Sequence, residues 1–215
     1  MLSGALAIQA LAAGIDPSEL ETLTETLRIA KQENNSRELA NTYIILGNFW
    51  FQQGNNVKAY NHLLQAEPII RNMPNNNLLG KLLMNKGNAT ENLPLKIETY
   101  KEAIVAYKKE ADAESLAKVY LNLGDAYSNY VWGISKADSA TVIPTSKDST
   151  FYKNTAFAYY EKADSINKTM DNLTIEGIVK VHIAEWYKAE RQYIKARQTF
   201  AEAQAILERA DYPKG

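Results

Sequence analysis

The chain has 215 residues, with 24 basic and 25 acidic side chains and a formal charge of −1. Hydrophobic residues make up 46% and charged residues 23%, which suits a buried core and excludes wholesale disorder. The balanced charge gives no electrostatic reason to expect nucleic acid or an anionic membrane as partner. The absence of cysteine excludes disulfides, thiolate catalysis and Cys-ligated zinc.

Residues 1–15 are Ala-rich and apolar but lack a basic leading segment. They read either as a first amphipathic helix or as the remnant of an export segment. No apolar run reaches the roughly 18 residues that a membrane-crossing helix needs. From Ser18 to Lys31 the pattern Leu23-x3-Leu27-x2-Ala30 predicts a helix, with Pro17 suited to its first turn. Tyr43 to Trp50 reads aromatic-x2-Leu-Gly-x2-aromatic and is followed by Ala59, Leu63 and Ala66. A weaker copy has Gly87, then Ala103-x3-Tyr107. Tyr120-x2-Leu123-Gly124-x2-Tyr127 restates the first half, and Ala156-x3-Tyr160-x2-Ala163 completes it. The last copy runs from Ile183-Ala184-x2-Tyr187 to Ala196-x3-Phe200-x2-Ala203. Surplus residues fall between about Trp132 and Thr150, where Gly133, Ser135, Asp138, Ser139, Pro144 and Ser149 break any helical period.

This recurrence resembles the tetratricopeptide repeat, a pair of antiparallel helices A and B in which small residues sit where the helices cross and aromatic residues fill the space between pairs. The resemblance implies an all-α, right-handed superhelical solenoid of about five helix pairs, one domain over residues 1–215. The first and third repeats are degenerate, and the 132–150 segment forms a surface insertion between two helices of one repeat. Gly47 to Gly87 spans 40 residues, Gly87 to Gly124 spans 37 and Gly124 to Ala184 spans 60, all longer than the common unit of about 34. The sequence stops at Asp211 to Gly215 without the polar terminal helix that solenoids use as a cap, which suggests a piece of a longer polypeptide.

The catalytic inventory is negative, with no HExxH, GxSxG, P-loop or EF-hand spacing. His62 is expected at the surface of a B helix. His182 lies on an A helix and alone makes neither a triad nor a metal site. Acid pairs such as Glu91 with Asp125 could converge across repeats, but solvated faces are the default for such residues. No enzyme activity, cofactor or metal is expected. The Asn-x-Thr triplets at Asn88, Asn167 and Asn172 carry no glycan assignment in so Asn-rich a chain.

In the repeat family the A helices line the concave surface, and extended peptides lie along it. Positions −6, −2 and +1 from the glycine position share one helical stripe. They are Asn41, Ile45 and Asn48; then Lys81, Asn85 and Asn88; then Lys118, Asn122 and Asp125; and last Ile178, His182 and Glu185. Asparagine donates and accepts at once, so it can pair with peptide backbone of any sequence, and lysine can hold a carboxylate. The stripe partly resembles the carboxylate clamp of some tetratricopeptide domains. Asn48, Asn85 and Lys118 fit that clamp, whereas Ile44 and Asn122 stand where it asks for cations. Three readings of the stripe stand: a generic peptide-binding groove, a solvated face, and a receptor for a C-terminal carboxylate. Near the C-terminus Ile178, Val181 and Ala189 form an apolar patch beside Glu185 and Lys188. The function implied is a non-enzymatic scaffold that captures a partner protein or peptide in its groove. The alternative is a sensory or regulatory module, because the long Asn/Lys/Tyr-rich units look like bacterial repeat regions attached to histidine kinases or transcription regulators.

Overall fold

The structure, a computed structural model, describes residues 17–73, 77–134 and 149–211. The helix expected before Pro17 lies outside them, as does most of the expected insertion. Among the described residues there are nine helices. They are α1 (Pro17–Gln32), α2 (Ser36–Gln52), α3 (Asn56–Arg71), α4 (Leu79–Ala89), α5 (Leu93–Glu110), α6 (Ala113–Ile134), α7 (Ser149–Met170), α8 (Leu173–Ala189) and α9 (Tyr193–Asp211). The expected insertion is trimmed at both ends: α6 continues through Gly133 to Ile134, and α7 already begins at Ser149. A glycine in the last turn costs a helix only about 1 kcal/mol, so it does not have to end one.

One device joins most of these helices. A residue in the left-handed region ends the first helix, and the next residue caps the second. Asn34, Gly54, Ala111, Asp171 and Arg191 have φ between 52° and 72°. At four of these turns the backbone N–H of the following residue reaches back to a carbonyl five residues earlier: Asn35 to Ala30, Asn55 to Trp50, Asp112 to Tyr107 and Gln192 to Tyr187. This is the Schellman closure, which satisfies carbonyls that the helix end leaves open. Asn35, Asn55, Asp112 and Asn172 then accept the N–H of Glu38, Lys58, Ser115 and Ile175 with their side chains, and each such cap contributes about 1 kcal/mol. Asn34, Asn35, Asn55 and Asn172 are therefore turn and cap residues.

Contacts group the chain into two compact units, Met1–Thr99 and Tyr100–Gly215, divided within α5. In the first unit α2 packs against α1, α3 and α4, and α3 also packs against α4. Its core gathers Leu20, Ile44, Phe49, Leu63, Ile70 and Leu82. In the second unit α6 packs against α7 and α8, α7 against α8, and α8 against α9. The A helices α2, α6 and α8 thus each meet their own B helix, and α2 and α6 also meet the next A helix of their unit.

Small residues make the close crossings. A Cβ on Gly47 would lie 2.6 Å from Leu63 Cγ and 3.2 Å from the carbonyl oxygen of Ala59. On Gly124 it would run into the Tyr160 ring. The sequence pattern did not flag a second small position, seven residues before the first. It holds Ala40, Gly80, Ala117 and Gly177, all buried. At Gly177 a Cβ would collide with Leu207 of α9.

Candidate peptide-binding face

The A helices α2, α4, α6 and α8 share one exposure pattern. Positions 0 and −7 are buried in all four, while positions −6, −2 and +1 are at least partly open in all but one case. The exception is Asn85, 7% exposed. In the first unit Asn41, Asn48, Lys81 and Asn88 are half-buried, and Asn88 already makes contacts within the chain. Asn41 lines a cleft of about 270 Å³ with Asn35, Arg37, Glu38, Asn77 and Leu78, where Arg37 donates to Asn77 Oδ1 at 2.6 Å. Ile44 is fully buried, so the position where a clamp would place its first lysine belongs to the core. Below the surface Glu67 of α3 holds Lys86 of α4 at 2.6 Å and Arg71 at 2.8 Å. Burial alone would raise the Glu67 pKa, but these two cations outweigh it and hold the carboxyl below its ordinary range.

Sequence reasoning placed Lys118 as a groove cation. It is exposed and pairs with Glu114 one turn earlier on its own helix at 2.5 Å. Asn122 is half-buried and engaged within the chain. Asp125 is the junction of the second unit. The hydroxyl of Tyr160, from α7, donates to Asp125 Oδ1 at 2.8 Å and lies 3.0 Å from Ser128 Oγ. His182 Nδ1, from α8, lies 2.8 Å from the same Oδ1. An ionised carboxylate only accepts, so the Nδ1 atom of His182 carries the proton. Burial first, and then the charge of Asp125, push the Tyr160 hydroxyl far above the ordinary tyrosine range, and Tyr100 is raised by the same two causes. Three helices thus converge on a carboxylate that remains 34% exposed. His182 is therefore paired, where the sequence offered it no partner.

Other expectations resolve as follows. His62 is half-buried beside Tyr43, with ring centroids 6.2 Å apart, rather than a surface residue. Burial, then Lys58, lower its pKa. Glu91 accepts from Asn56 Nδ2 at 3.2 Å. Trp50 is buried under the Lys58 ammonium, 3.9 Å from the ring centroid, and Trp186 packs on Phe157 at 4.5 Å. Asn167 is 2% exposed, which leaves its triplet no access to a glycan. In the C-terminal patch Ile178 is 37% exposed, and Glu185 pairs with Lys188 at 3.1 Å.

No described helix is long and apolar enough to cross a membrane, and no group of three potential metal ligands occurs among the described residues. No family model matches the sequence, and no curated protein matches it. Solved structures do. The crystal structure of BtubC (BKLC) from P. vanneervenii aligns over 99% of this chain and 77% of its own, with a TM-score of 0.67 and 15% identity. A signal-transduction ATPase with numerous domains from Pyrococcus horikoshii, which carries a tetratricopeptide repeat sensor, aligns over 80% of this chain with a TM-score of 0.60 and 18% identity. The matched region spans 25% of that ATPase. The chain has a tetratricopeptide-repeat-like fold, with its helices packed as sequential pairs.

Proposed function

We propose that this tetratricopeptide-repeat-like chain is a non-enzymatic scaffold that takes extended segments of a partner protein on the exposed A-helix stripe of each unit. The supporting observation is the exposure pattern of α2, α4, α6 and α8. Their small positions are consumed by packing, whereas Asn41, Asn48, Lys81, Asn88, Lys118, Asn122 and Asp125 stay at least partly open to solvent. Asn85 contributes through the packing of α4, given its burial. Polar residues with both donors and acceptors suit a ligand whose backbone is the common element.

The test is selection of binders from a random dodecapeptide library against the whole chain, followed by titration against variants. Each asparagine that pairs with ligand backbone contributes about 0.5–1.5 kcal/mol, so Asn41→Ala, Asn48→Ala or Asn122→Ala weakens binding about two- to tenfold. Val57→Ala on α3, a site 72% exposed away from the stripe, leaves it unchanged. Peptides insensitive to every stripe substitution rule the reading out.

A second reading is favoured by one comparison. The Pyrococcus ATPase uses such a repeat region as the sensor of a larger signalling protein, and this chain matches a quarter of it. A reading frame that continues past Gly215 into an ATPase, kinase or DNA-binding segment supports a sensor module, and a stop codon there excludes that arrangement.

A further inference from the structure

The carboxylate at the junction of α6, α7 and α8 is held in a way that packing does not require. Asp125 sits at stripe position +1, and its equivalents on the other A helices are Asn48, Asn88 and Glu185. Tyr160 stands where α3 has Leu63 and α9 has Phe200; α5 also has a tyrosine there, Tyr107, but its hydroxyl bonds to Ser115 rather than to a carboxylate. Tyr160 and His182 both bond to Oδ1, which fixes the side chain while a third of it faces solvent. Among the described residues its ion-pair partner is His182, and Asp125 Oδ2 and His182 Nε2 have no protein partner. In the neutral ring, with the proton on Nδ1, Nε2 is an acceptor. On the same helices, Lys118 of α6 pairs with Glu114 and Lys188 of α8 with Glu185. With the ring neutral, the cluster offers solvent two acceptors and the charge of the carboxylate, with no donor assigned to them.

We propose that Asp125 and His182 anchor a guanidinium group, so that the segment bound on this face carries an arginine. Guanidinium is planar, always charged and made only of donors, which complements a carboxylate oxygen beside an imidazole acceptor better than the point charge of lysine does. Ile178, one turn before His182 on α8 and 37% exposed, provides apolar surface for the arginine methylenes or a neighbouring aliphatic residue. The inference rests on the peptide-scaffold reading for its biological context but not for its test.

That test uses the whole chain and single-residue probes. N-acetylarginine amide is titrated while the histidine ring C–H signals are followed by NMR, with N-acetylcitrulline amide and N-acetyllysine amide as matched probes. The chain has only two histidines, and His62 on α3 serves as the internal control. The expected result is a saturable shift of the His182 signals at about millimolar arginine probe, with citrulline at least about tenfold weaker and lysine about threefold weaker. The response is lost in Asp125→Asn, and the His62 signals stay still. An equal response to citrulline or lysine, a response that survives Asp125→Asn, equal shifts at both histidines, or no response overturns the anchor. If Asp125→Asn does not fold, Tyr160→Phe keeps the carboxylate and removes one tether. It should weaken the arginine response about two- to fivefold, and an unchanged response overturns the anchor. An arginine response alongside selected peptides that ignore the stripe defeats the scaffold reading alone. Stripe-dependent peptides without an arginine response defeat the anchor alone.

Discussion

Replacing Gly124 with alanine adds one methyl group where the ring of Tyr160 crosses α6. The new carbon would lie 2.7 Å from Cδ1 and 3.1 Å from Cζ of that ring, well inside contact distance. The ring cannot simply slide away, because its hydroxyl is tied to Asp125 at 2.8 Å and to Ser128 at 3.0 Å. Alanine gains about 1 kcal/mol over glycine in helix propensity. Against this stand overpacking of about 1–3 kcal/mol and weakening of the two hydroxyl bonds, about 1–3 kcal/mol together. The net expectation is a loss of about 1–5 kcal/mol. Gly47→Ala makes the useful contrast. Its methyl meets Leu63, an aliphatic side chain with no hydrogen bond to surrender, so the net loss is about 1 kcal/mol. The assay is urea unfolding followed by far-UV circular dichroism, with Tyr160→Leu added to Gly124→Ala to reproduce the Gly47–Leu63 crossing. Gly124→Ala as stable as the parent chain, or a double variant no better than the single one, refutes the assignment of Gly124 to a close helix crossing tied to Tyr160.

Three further outcomes follow from the turns and ion pairs. Ala111 holds φ at 55°, so Ala111→Gly relieves left-handed strain and should stabilise the chain by up to about 1 kcal/mol in the same assay. Glu67 has a lowered pKa; its stabilisation is present above the unfolded carboxylate value of about 4.3 and is lost as pH falls through the folded value. Glu67→Gln should therefore cost about 1–3 kcal/mol near neutral pH and progressively less on acidification, measured as unfolding midpoints across pH. His62 is also lowered, but for a base the sign differs: the unfolded chain binds its proton more readily, so stability declines as pH drops below about 6.5. His62→Gln should make that decline shallower between about pH 7 and pH 5, and an unchanged slope would mean that burial does not disfavour the charged ring.

Much of the fold was legible because Leu-Gly and Ala-x3-aromatic recur in order, and Gly47, Gly124 and Ala184 do lie buried on A helices. Pro17 does open α1. Gly177 was missed because its partner Leu207 lies on another helix, and a lone glycine seven residues before Ala184 leaves no local pattern. The excess of asparagine was read as groove or solvated surface, whereas Asn35, Asn55 and Asn172 cap helices. That signal was present, since asparagine immediately before a helical pattern is a favoured cap. Stripe position alone does not reveal that Lys118 also pairs with Glu114 four residues earlier, an ordinary helical ion pair. The Asp125 junction was out of reach, as Tyr160 and His182 lie 35 and 57 residues away. Only the packing of α7 and α8 beside α6 brings them to one oxygen.

The central claim is that ligand lies on the exposed stripe of the A helices. Backbone amide shift mapping of the whole chain, with and without a saturating selected peptide, addresses it most directly. The account predicts perturbed amides concentrated on α2, α4, α6 and α8 around Asn41, Asn48, Asn88, Asn122 and Asp125, with α3, α7 and α9 largely silent. Perturbations confined to those B helices, or to residues 135–148, would contradict it.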